Sequence, residues 1–203
     1  QTITLTGTTI PDWANFVDVG SGSGVLTGTP DNGDVGTHNV VITATDASSA
    51  ATTQSFTITV ANTNDAPTLS SAISDASTAE DSAYSLDVTS NFDDVDASDT
   101  LTYSATGMPS TITMSSSGTL SGTPVNANVG SWTIIVTATE SASAGGTVSD
   151  TFILTVTNTN DALTISSTAV TAATEDTGYT YTVTTADVDV GDTSTLTGTT
   201  VPS

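Results

Sequence analysis

The feature that most constrains this sequence is an internal repeat with a period of about 95 residues. A fixed period of this length indicates a tandem array of similar structural units, each stacked on its neighbours. The chain of 203 residues therefore covers roughly two periods, and we expect it to open and close within a repeat. The clearest recurrences are Asn62-Thr63-Asn64-Asp65-Ala66 as Asn158-Thr159-Asn160-Asp161-Ala162, Leu26-Thr27-Gly28-Thr29-Pro30 as Leu120-Ser121-Gly122-Thr123-Pro124, and Leu5–Pro11 as Leu196–Pro202.

Inside one period, apolar residues alternate with polar residues, which predicts strands with one buried face. Turn clusters of Gly, Pro, Asn, Asp and Ser separate these segments, and no segment has a helical period. About seven short alternating strands per period are typical of an antiparallel β-sandwich, so the fold class is all-β. The alternating sets are Tyr84/Leu86/Val88, Tyr179/Tyr181/Val183, His38/Val40/Ile42/Ala44, Trp132/Ile134/Val136/Ala138, Phe56/Ile58/Val60 and Phe152/Leu154/Val156.

The phase of the repeat predicts the domain boundaries. Residues 66–157 should form one complete sandwich, residues 1–61 the later strands of a preceding one, and residues 162–203 the first strands of a following one. A half-sandwich exposes an apolar face and unpaired strand edges. Two arrangements would cover them: a covalent array that continues beyond these residues, or the tail of one copy completing the head of the next as a fibre.

Composition excludes several classes of function. The chain has 22 acidic residues, one histidine, no cysteine, and no lysine or arginine, so it offers no cation to nucleic acid or to an anionic membrane. Zinc fingers, disulfide scaffolds and cysteine nucleophiles are excluded, and a serine triad would have to use His38. The apolar runs are too short to insert into a bilayer. We expect no enzymatic activity.

Two clusters of carboxylates indicate a metal ion. Asp93, Asp94, Asp96 and Asp99 lie within seven residues, and Asp187, Asp189 and Asp192 repeat the cluster. Two like charges about 4 Å apart repel by roughly 1 kcal/mol even in water, and no basic side chain is available here to offset this. A divalent cation with oxygen ligands can do so, and calcium tolerates irregular loops better than magnesium. The alternative is a solvated acidic turn without an ion.

These residues resemble a known group of repeats. The segment 94–104, with its Asp-x-Asp start, resembles the one that leads into a strand in cadherins, and Asn62–Pro67 resembles the cadherin linker. Gly118–Pro124, followed by Trp132 and Glu140, resembles the bacterial dystroglycan-type cadherin-like repeats, also described as Putative Ig repeats. The resemblance implies tandem Ig/cadherin-like sandwiches in large extracellular adhesins, with calcium at the junctions.

The same resemblance implies a set of calcium ligands at each junction. Two departures suggest fewer ions than in animal cadherins: the acidic Asp-Arg-Glu motif is missing, and the linker begins with Asn instead of Asp. The first junction would use Asn62, Asn64, Asp65, Asp94, Asp96 and Glu140; the second would use Glu80, Asp81, Asn158, Asn160, Asp161, Asp187 and Asp189.

The resulting functional hypothesis is a calcium-stiffened spacer of a secreted bacterial surface adhesin or extracellular fibre. Its expected partners are calcium and neighbouring repeats joined head to tail, with no nucleic acid and no direct membrane insertion. The alternatives are a module that binds a cell-surface glycan or protein directly, and an accessory repeat of a secreted enzyme.

Overall fold

The computed structural model describes residues 2–96, 98–141, 145–189 and 191–198. The end of the third predicted segment, residues 199–203, lies outside the described residues, as does most of the second copy of the Leu5–Pro11 motif beyond Gly198. The chain divides into two compact units, one of residues 1–67, 94–100 and 140–146, the other of residues 68–93, 101–139 and 147–203. The described residues form strands and short 3₁₀ turns, as the all-β prediction requires.

The first unit contains five strands that form a three-stranded and a two-stranded sheet. The strand order is β1-β4-β5 in the larger sheet, and β2 pairs with β3 in the smaller one. A 3₁₀ turn, Asn32–Asp34, connects the two sheets, and the side chain of Asp31 caps it. The strands are β1 (Ile3–Thr9), β2 (Ala14–Gly20), β3 (Ser23–Gly28), β4 (Gly36–Asp46) and β5 (Ala51–Val60).

The second unit contains a four-stranded and a three-stranded sheet. The larger sheet has the order β10-β13-β14-β7 and the smaller one the order β11-β12-β8. Short pairs, β6 with β9 and β15 with β16, accompany them. The strands are β6 (Thr68–Leu69), β7 (Ala76–Ala79), β8 (Tyr84–Asp87), β9 (Phe92–Asp93), β10 (Leu101–Thr106), β11 (Ile112–Met114), β12 (Thr119–Gly122), β13 (Gly130–Glu140), β14 (Thr147–Thr157), β15 (Thr164–Ile165) and β16 (Thr185–Ala186).

Two details of the second unit differ from the sequence prediction, one in strand direction and one in the number of strands. β14 pairs antiparallel with β13 but parallel with β7, with Leu154 opposite Ala76. The predicted strand at Tyr179, Tyr181 and Val183 is not formed, because a strand needs a partner and the described residues supply none at this segment. Its counterpart β8 pairs with β12.

The core lies between the two sheets of the second unit. Alternate residues of β13 and β14 point into it, so that Ile134, Val136 and Leu154 are fully buried. The residues between them face the other way, as a period of two requires, and they include Ile135 and Ile153 beside the threonines. The buried cluster consists of Ile73, Val88, Phe92, Ile112, Leu120, Ile134, Val136, Ala138, Phe152 and Leu154.

The recurring Leu-x-Gly-Thr-Pro motif has a steric explanation. A Cβ atom at Gly122 would fall on the backbone carbonyl oxygen of Thr111, and one at Gly28 would fall on that of Trp13. In each unit the end of this strand therefore approaches the neighbouring strand too closely for a side chain. The glycine of the motif is therefore a packing requirement of the smaller sheet.

Candidate metal centre

The first acidic cluster is built by the turn that follows β9. The backbone N–H of Asp96 donates to Oδ1 of Asp94 at 2.9 Å, and that of Asp99 donates to the carbonyl oxygen of Asp96 at 2.9 Å. These bonds fold the turn so that one carboxylate oxygen from each of the three residues lies within 4.8 Å of the others. The Asp-x-Asp spacing therefore brings its charges together.

The linker and the end of β13 complete this cluster, and all of its members belong to the first unit. The backbone N–H of Asp65 donates to Oδ2 of Asp96 at 2.7 Å. The side-chain amide of Asn64 donates to Oε1 of Glu140 at 2.8 Å, as does the N–H of Gly146 at 2.7 Å. Each of these buried carboxylates thus has one oxygen held by N–H groups of the chain.

The other oxygen of each carboxylate has no such partner. Within the part of the chain that the structure describes, Oδ1 of Asp96 and Oε2 of Glu140 are buried and accept no hydrogen bond. Asp96 is 2% exposed and Glu140 is 4% exposed, so bulk solvent has little access to either carboxylate. A buried carboxylate oxygen without a donor or a cation is strongly destabilising, so these atoms are candidates for binding a cation.

The second cluster, within the second unit, repeats this geometry. The N–H of Asp161 donates to Oδ2 of Asp189 at 2.7 Å, as that of Asp65 does to Asp96. Glu80 accepts at Oε1 from the N–H of Thr159 at 2.8 Å, while its Oε2 is buried without a described partner. Two groups of carboxylates each have oxygens within 4.8 Å of one another: Glu80, Asp81 and Asp161, and Asp187, Asp189 and Asp192.

The electrostatics of both clusters favour a bound cation. Burial raises the pKa of Asp99 above its ordinary value, and the carboxylates of Asp94, Asp96 and Glu140 raise it further. Burial likewise raises the pKa of Asp161, and a smaller increase comes from the nearby carboxylates of Asp189, Asp81 and Asp187. The chain has no lysine or arginine to compensate these charges.

The structure brings together most of the residues that the sequence singles out. Asn64, Asp65, Asp94, Asp96 and Glu140 meet at the first cluster, and Glu80, Asp81, Asp161, Asp187 and Asp189 at the second. The amide of Asn160 instead donates to the carbonyl oxygen of Asp161 at 2.9 Å. The remaining two, Asn62 and Asn158, are exposed at the start of the linkers. The role of all these residues as ligands stays a prediction.

The set of predicted ligands omits four residues that lie at these clusters. Asp99 and Asp192 belong to the acidic clusters that the sequence singles out, but the ligands implied by the resemblance include only the two residues of each Asp-x-Asp pair. Asn32 donates to Oδ2 of Asp65 at 2.8 Å, and Asn126 donates to Oδ1 of Asp189 at 3.1 Å. The two asparagines occupy the same place in successive repeats, at the start of a 3₁₀ turn. This recurrence is the signal that could have found them.

The single histidine has a structural contact away from the clusters. Nε2 of His38 donates to the carbonyl oxygen of Asp34 at 2.6 Å. One repeat later, Nε1 of Trp132 donates to the carbonyl oxygen of Asn128 at 2.7 Å. The histidine thus makes the hydrogen bond that a tryptophan makes at the equivalent position.

Comparison with known proteins identifies the family. The family described as "Putative Ig domain" matches residues 1–61 and 66–157, which is most of the chain. The chain belongs to this family. It is a cadherin-like, Ig-like repeat protein, and the resemblance read from its motifs is confirmed. None of the curated proteins matches the sequence.

Solved cadherin structures share the fold of this Putative Ig domain protein. Human mucin-like protocadherin EC1-2 has a TM-score of 0.59 at 16% identity, over 77% of this chain and 84% of that one. Mouse cadherin-23 EC22-24 has a TM-score of 0.57 at 17% identity, over 77% of this chain and 53% of that one. At this identity the likeness shows the fold alone.

A second group of solved structures matches this chain with a lower TM-score. An endo-fucoidan hydrolase of glycoside hydrolase family 107 has 23% identity over 77% of this chain, with a TM-score of 0.40. This chain spans only 24% of that enzyme's length. A similarity at this level bears on neither fold nor activity. Among the described residues, no helix is long and apolar enough to cross a membrane.

Proposed function

We propose that this chain is a calcium-stiffened spacer of a secreted bacterial surface adhesin or extracellular fibre. The observation that carries the proposal is the set of buried carboxylate oxygens with no donor among the described residues, on Glu80, Asp96 and Glu140. They recur at both linkers of the repeat, which is where a spacer needs to be stiff. Catalysis forms no part of this function.

The donor set fits calcium. Carboxylate, amide and backbone oxygens are the ligands of hard cations, and calcium accepts six to eight of them in irregular geometry. Nitrogen and sulfur donors, which would favour zinc, are absent from both clusters in the described residues. The residues that would hold the ion are Asp65, Asp94, Asp96, Asp99 and Glu140 at the first cluster, and Glu80, Asp81, Asp161, Asp187, Asp189 and Asp192 at the second.

Each cluster joins a linker to loops that are distant in sequence. Asp65 lies on the linker, Asp96 on the turn after β9, and Glu140 at the end of β13. A cation bound by all three binds the folded arrangement and not the unfolded chain, so its binding free energy stabilises that arrangement. Without the cation, the mutual repulsion of the carboxylates acts against the same arrangement.

The proposed extracellular location rests on the family and on calcium supply. A protein whose stiffness depends on calcium works best where calcium is abundant, and extracellular modules bind it in the 10⁻⁴–10⁻³ M range. The solved relatives include extracellular domains of protocadherins. Head-to-tail neighbouring repeats are the expected partners.

Isothermal titration of the 203-residue chain with calcium tests the proposal. We expect saturable binding, with Asp96→Asn removing the heat of one cluster and Asp189→Asn that of the other. Asp12→Asn is the matched control, because Asp12 is exposed and lies in neither cluster. Equal titration curves for all four proteins, or no saturable heat, would contradict the proposal.

A further inference from the structure

The larger sheet of the second unit has one face on the core and one face that points away from it. This second face, which we call the outer face, consists of the outward residues of β7, β10, β13 and β14. Serine and threonine occupy these positions except at Ala79, Ile135 and Ile153. Every residue of the four strands is described, and none of the outward ones is charged.

The larger sheet of the first unit has the same composition on this side. Thr43 lies opposite Thr53 on the outward positions of β4 and β5, and Val41 takes the place of Ile135. Asp46 at the end of β4 belongs to the inward alternation, opposite Ile3. The uncharged outer face is thus a property of the repeat.

The carboxylates of this acidic chain lie elsewhere. On β14, Asp150 points inward, where its Oδ2 accepts the N–H of Ile73 at 2.6 Å. Asp75 lies at the edge before β7, and its Oδ1 accepts the N–H of Ile153 at 2.7 Å. The smaller sheet does carry an exposed carboxylate on a strand, Asp87 on β8. Depletion of charged residues is the compositional mark of the centre of a protein interface, and the outer face has it.

Two exposed isoleucines lie in the middle of this face. Ile135 is 43% exposed and Ile153 is 42% exposed. Ile135 lies opposite Thr151, and Ile153 lies opposite Thr133, so the two isoleucines are diagonal neighbours on paired strands. The methyl groups of the two threonines adjoin them. The outer face therefore has an apolar centre within a rim of hydroxyl groups, which is the usual anatomy of an interface.

We propose that the outer face binds the outer face of a second copy of this chain, side by side. A hydroxyl group both donates and accepts, so a face of hydroxyls can satisfy its hydrogen bonds against an identical face. Contact through other surfaces would bring carboxylates together in a pair of chains that have no lysine or arginine to offset them. The same patch on both copies forms a closed twofold contact. This contact uses neither acidic cluster, so it goes beyond the proposed function.

The size of the face sets the strength of this contact. Strands lie about 4.8 Å apart and successive outward residues about 6.7 Å apart, so the outer face of one repeat covers about 500 Å². Two such faces bury about 1,000 Å² in total, which is at the low end for specific interfaces. We therefore expect a weak, reversible pair that forms at high protein concentration.

Methyl NMR of the unmodified 203-residue chain locates the contact. On raising the concentration from micromolar to millimolar, the methyl signals of Ile135 and Ile153 should shift, because these side chains enter the interface. The signals of the buried Ile134 should stay in place. No shift over this range would overturn the proposal, and so would shifts confined to other parts of the chain.

Charged variants test whether the outer face is the cause. Light scattering of the unmodified chain should show a mass that rises from the 20.2 kDa of one chain towards twice that value. Ile135→Glu combined with Ile153→Glu should weaken the association by more than about tenfold, because it brings like charges together. The matched control is Thr113→Glu with Ser121→Glu, an exposed pair on the smaller sheet, which should associate as the unmodified chain does. Equal weakening in both variants would overturn the proposal.

The salt dependence separates this contact from one between opposite charges. Raising the ionic strength from 0.01 to 0.15 M shortens the Debye length from about 30 to about 8 Å, which screens the repulsion between the two acidic chains. The pair should therefore become tighter in salt. A mass that falls towards that of one chain as salt is added would overturn the proposal.

Discussion

Phe56 and Phe152 occupy the same place on equivalent strands, yet Phe56 is 38% exposed and Phe152 is 1% exposed. The strands that carry them have the same alternation of apolar and polar residues and pair with a neighbour in the same register. What differs is the presence of β7 and β8 in the second unit, because no strand among the described residues of the first unit takes their places. Alternation thus specifies which side chains face inward, and the opening strands decide whether that face is buried.

The largest expected effect follows directly from this difference. Phe152→Ala should lower the free energy of unfolding by about 3–5 kcal/mol, because it leaves a cavity in a closed core. Phe56→Ala should cost less, about 1–2 kcal/mol, because 38% of its surface is already in water. Chemical denaturation of the two variants measures both. Equal losses would break the comparison.

A smaller effect is expected at the glycines of the two Leu-x-Gly-Thr-Pro motifs. Gly122→Ala should cost about 1–3 kcal/mol, because the added methyl group falls on the carbonyl oxygen of Thr111. Gly28→Ala should cost less, because β3 lacks the third strand that holds its equivalent β12 in place. Thermal unfolding of the pair measures the difference. A greater loss for Gly28→Ala would show that the smaller sheet of the first unit is as constrained as that of the second.

The smallest effect is a pH dependence carried by one carboxylate in each unit. The N–H groups of Leu5 and Gly20 hold the pKa of Asp18 below its ordinary value, and the N–H and hydroxyl of Thr89 do the same for Asp87. A lowered pKa in the folded state gives stability that is present above the unfolded value of 3.8 and is lost as the pH falls through the folded pKa.

In chelator, therefore, Asp18→Asn and Asp87→Asn should each destabilise the chain at pH 7 and have little effect well below pH 3.8. Unfolding curves at the two pH values measure this change. A penalty that stays constant with pH would mean that the hydrogen bonds do not depend on the charge of the carboxylate.

The sequence predicts the strands of the second unit better than its own tail. The alternation around Trp132 and Phe152 identifies β13 and β14, because these two strands pair with each other within one repeat. The same pattern at Tyr179 forms no strand, because pairing depends on a partner and not on local preference. The parallel pairing of β7 with β14 was also not predictable, since alternation is the same for either direction.

At the candidate metal centres, spacing predicts only part of the arrangement. Asp94 and Asp96 are close because they are two residues apart on one turn. The approach of Glu140 and Asn64, 76 residues apart, depends on the whole sandwich and was expected only from the family resemblance. The recurrence of Asn32 as Asn126 could have drawn attention to this position, but its contact with Asp189 depends on the path of the 3₁₀ turn in three dimensions. The boundaries at residues 61, 66, 157 and 162 stay predictions.

The most direct test of the calcium-stiffened spacer is the thermal unfolding of the chain in calcium and in chelator. An ion that binds only the folded state adds about 2.7 kcal/mol at 100 times its Kd, which for a chain of this size is a rise in Tm of roughly 5–10 °C. Asp96→Asn combined with Asp189→Asn should abolish the rise, and Asp12→Asn should keep it. The same Tm in calcium and in chelator for the unmodified chain would contradict the account.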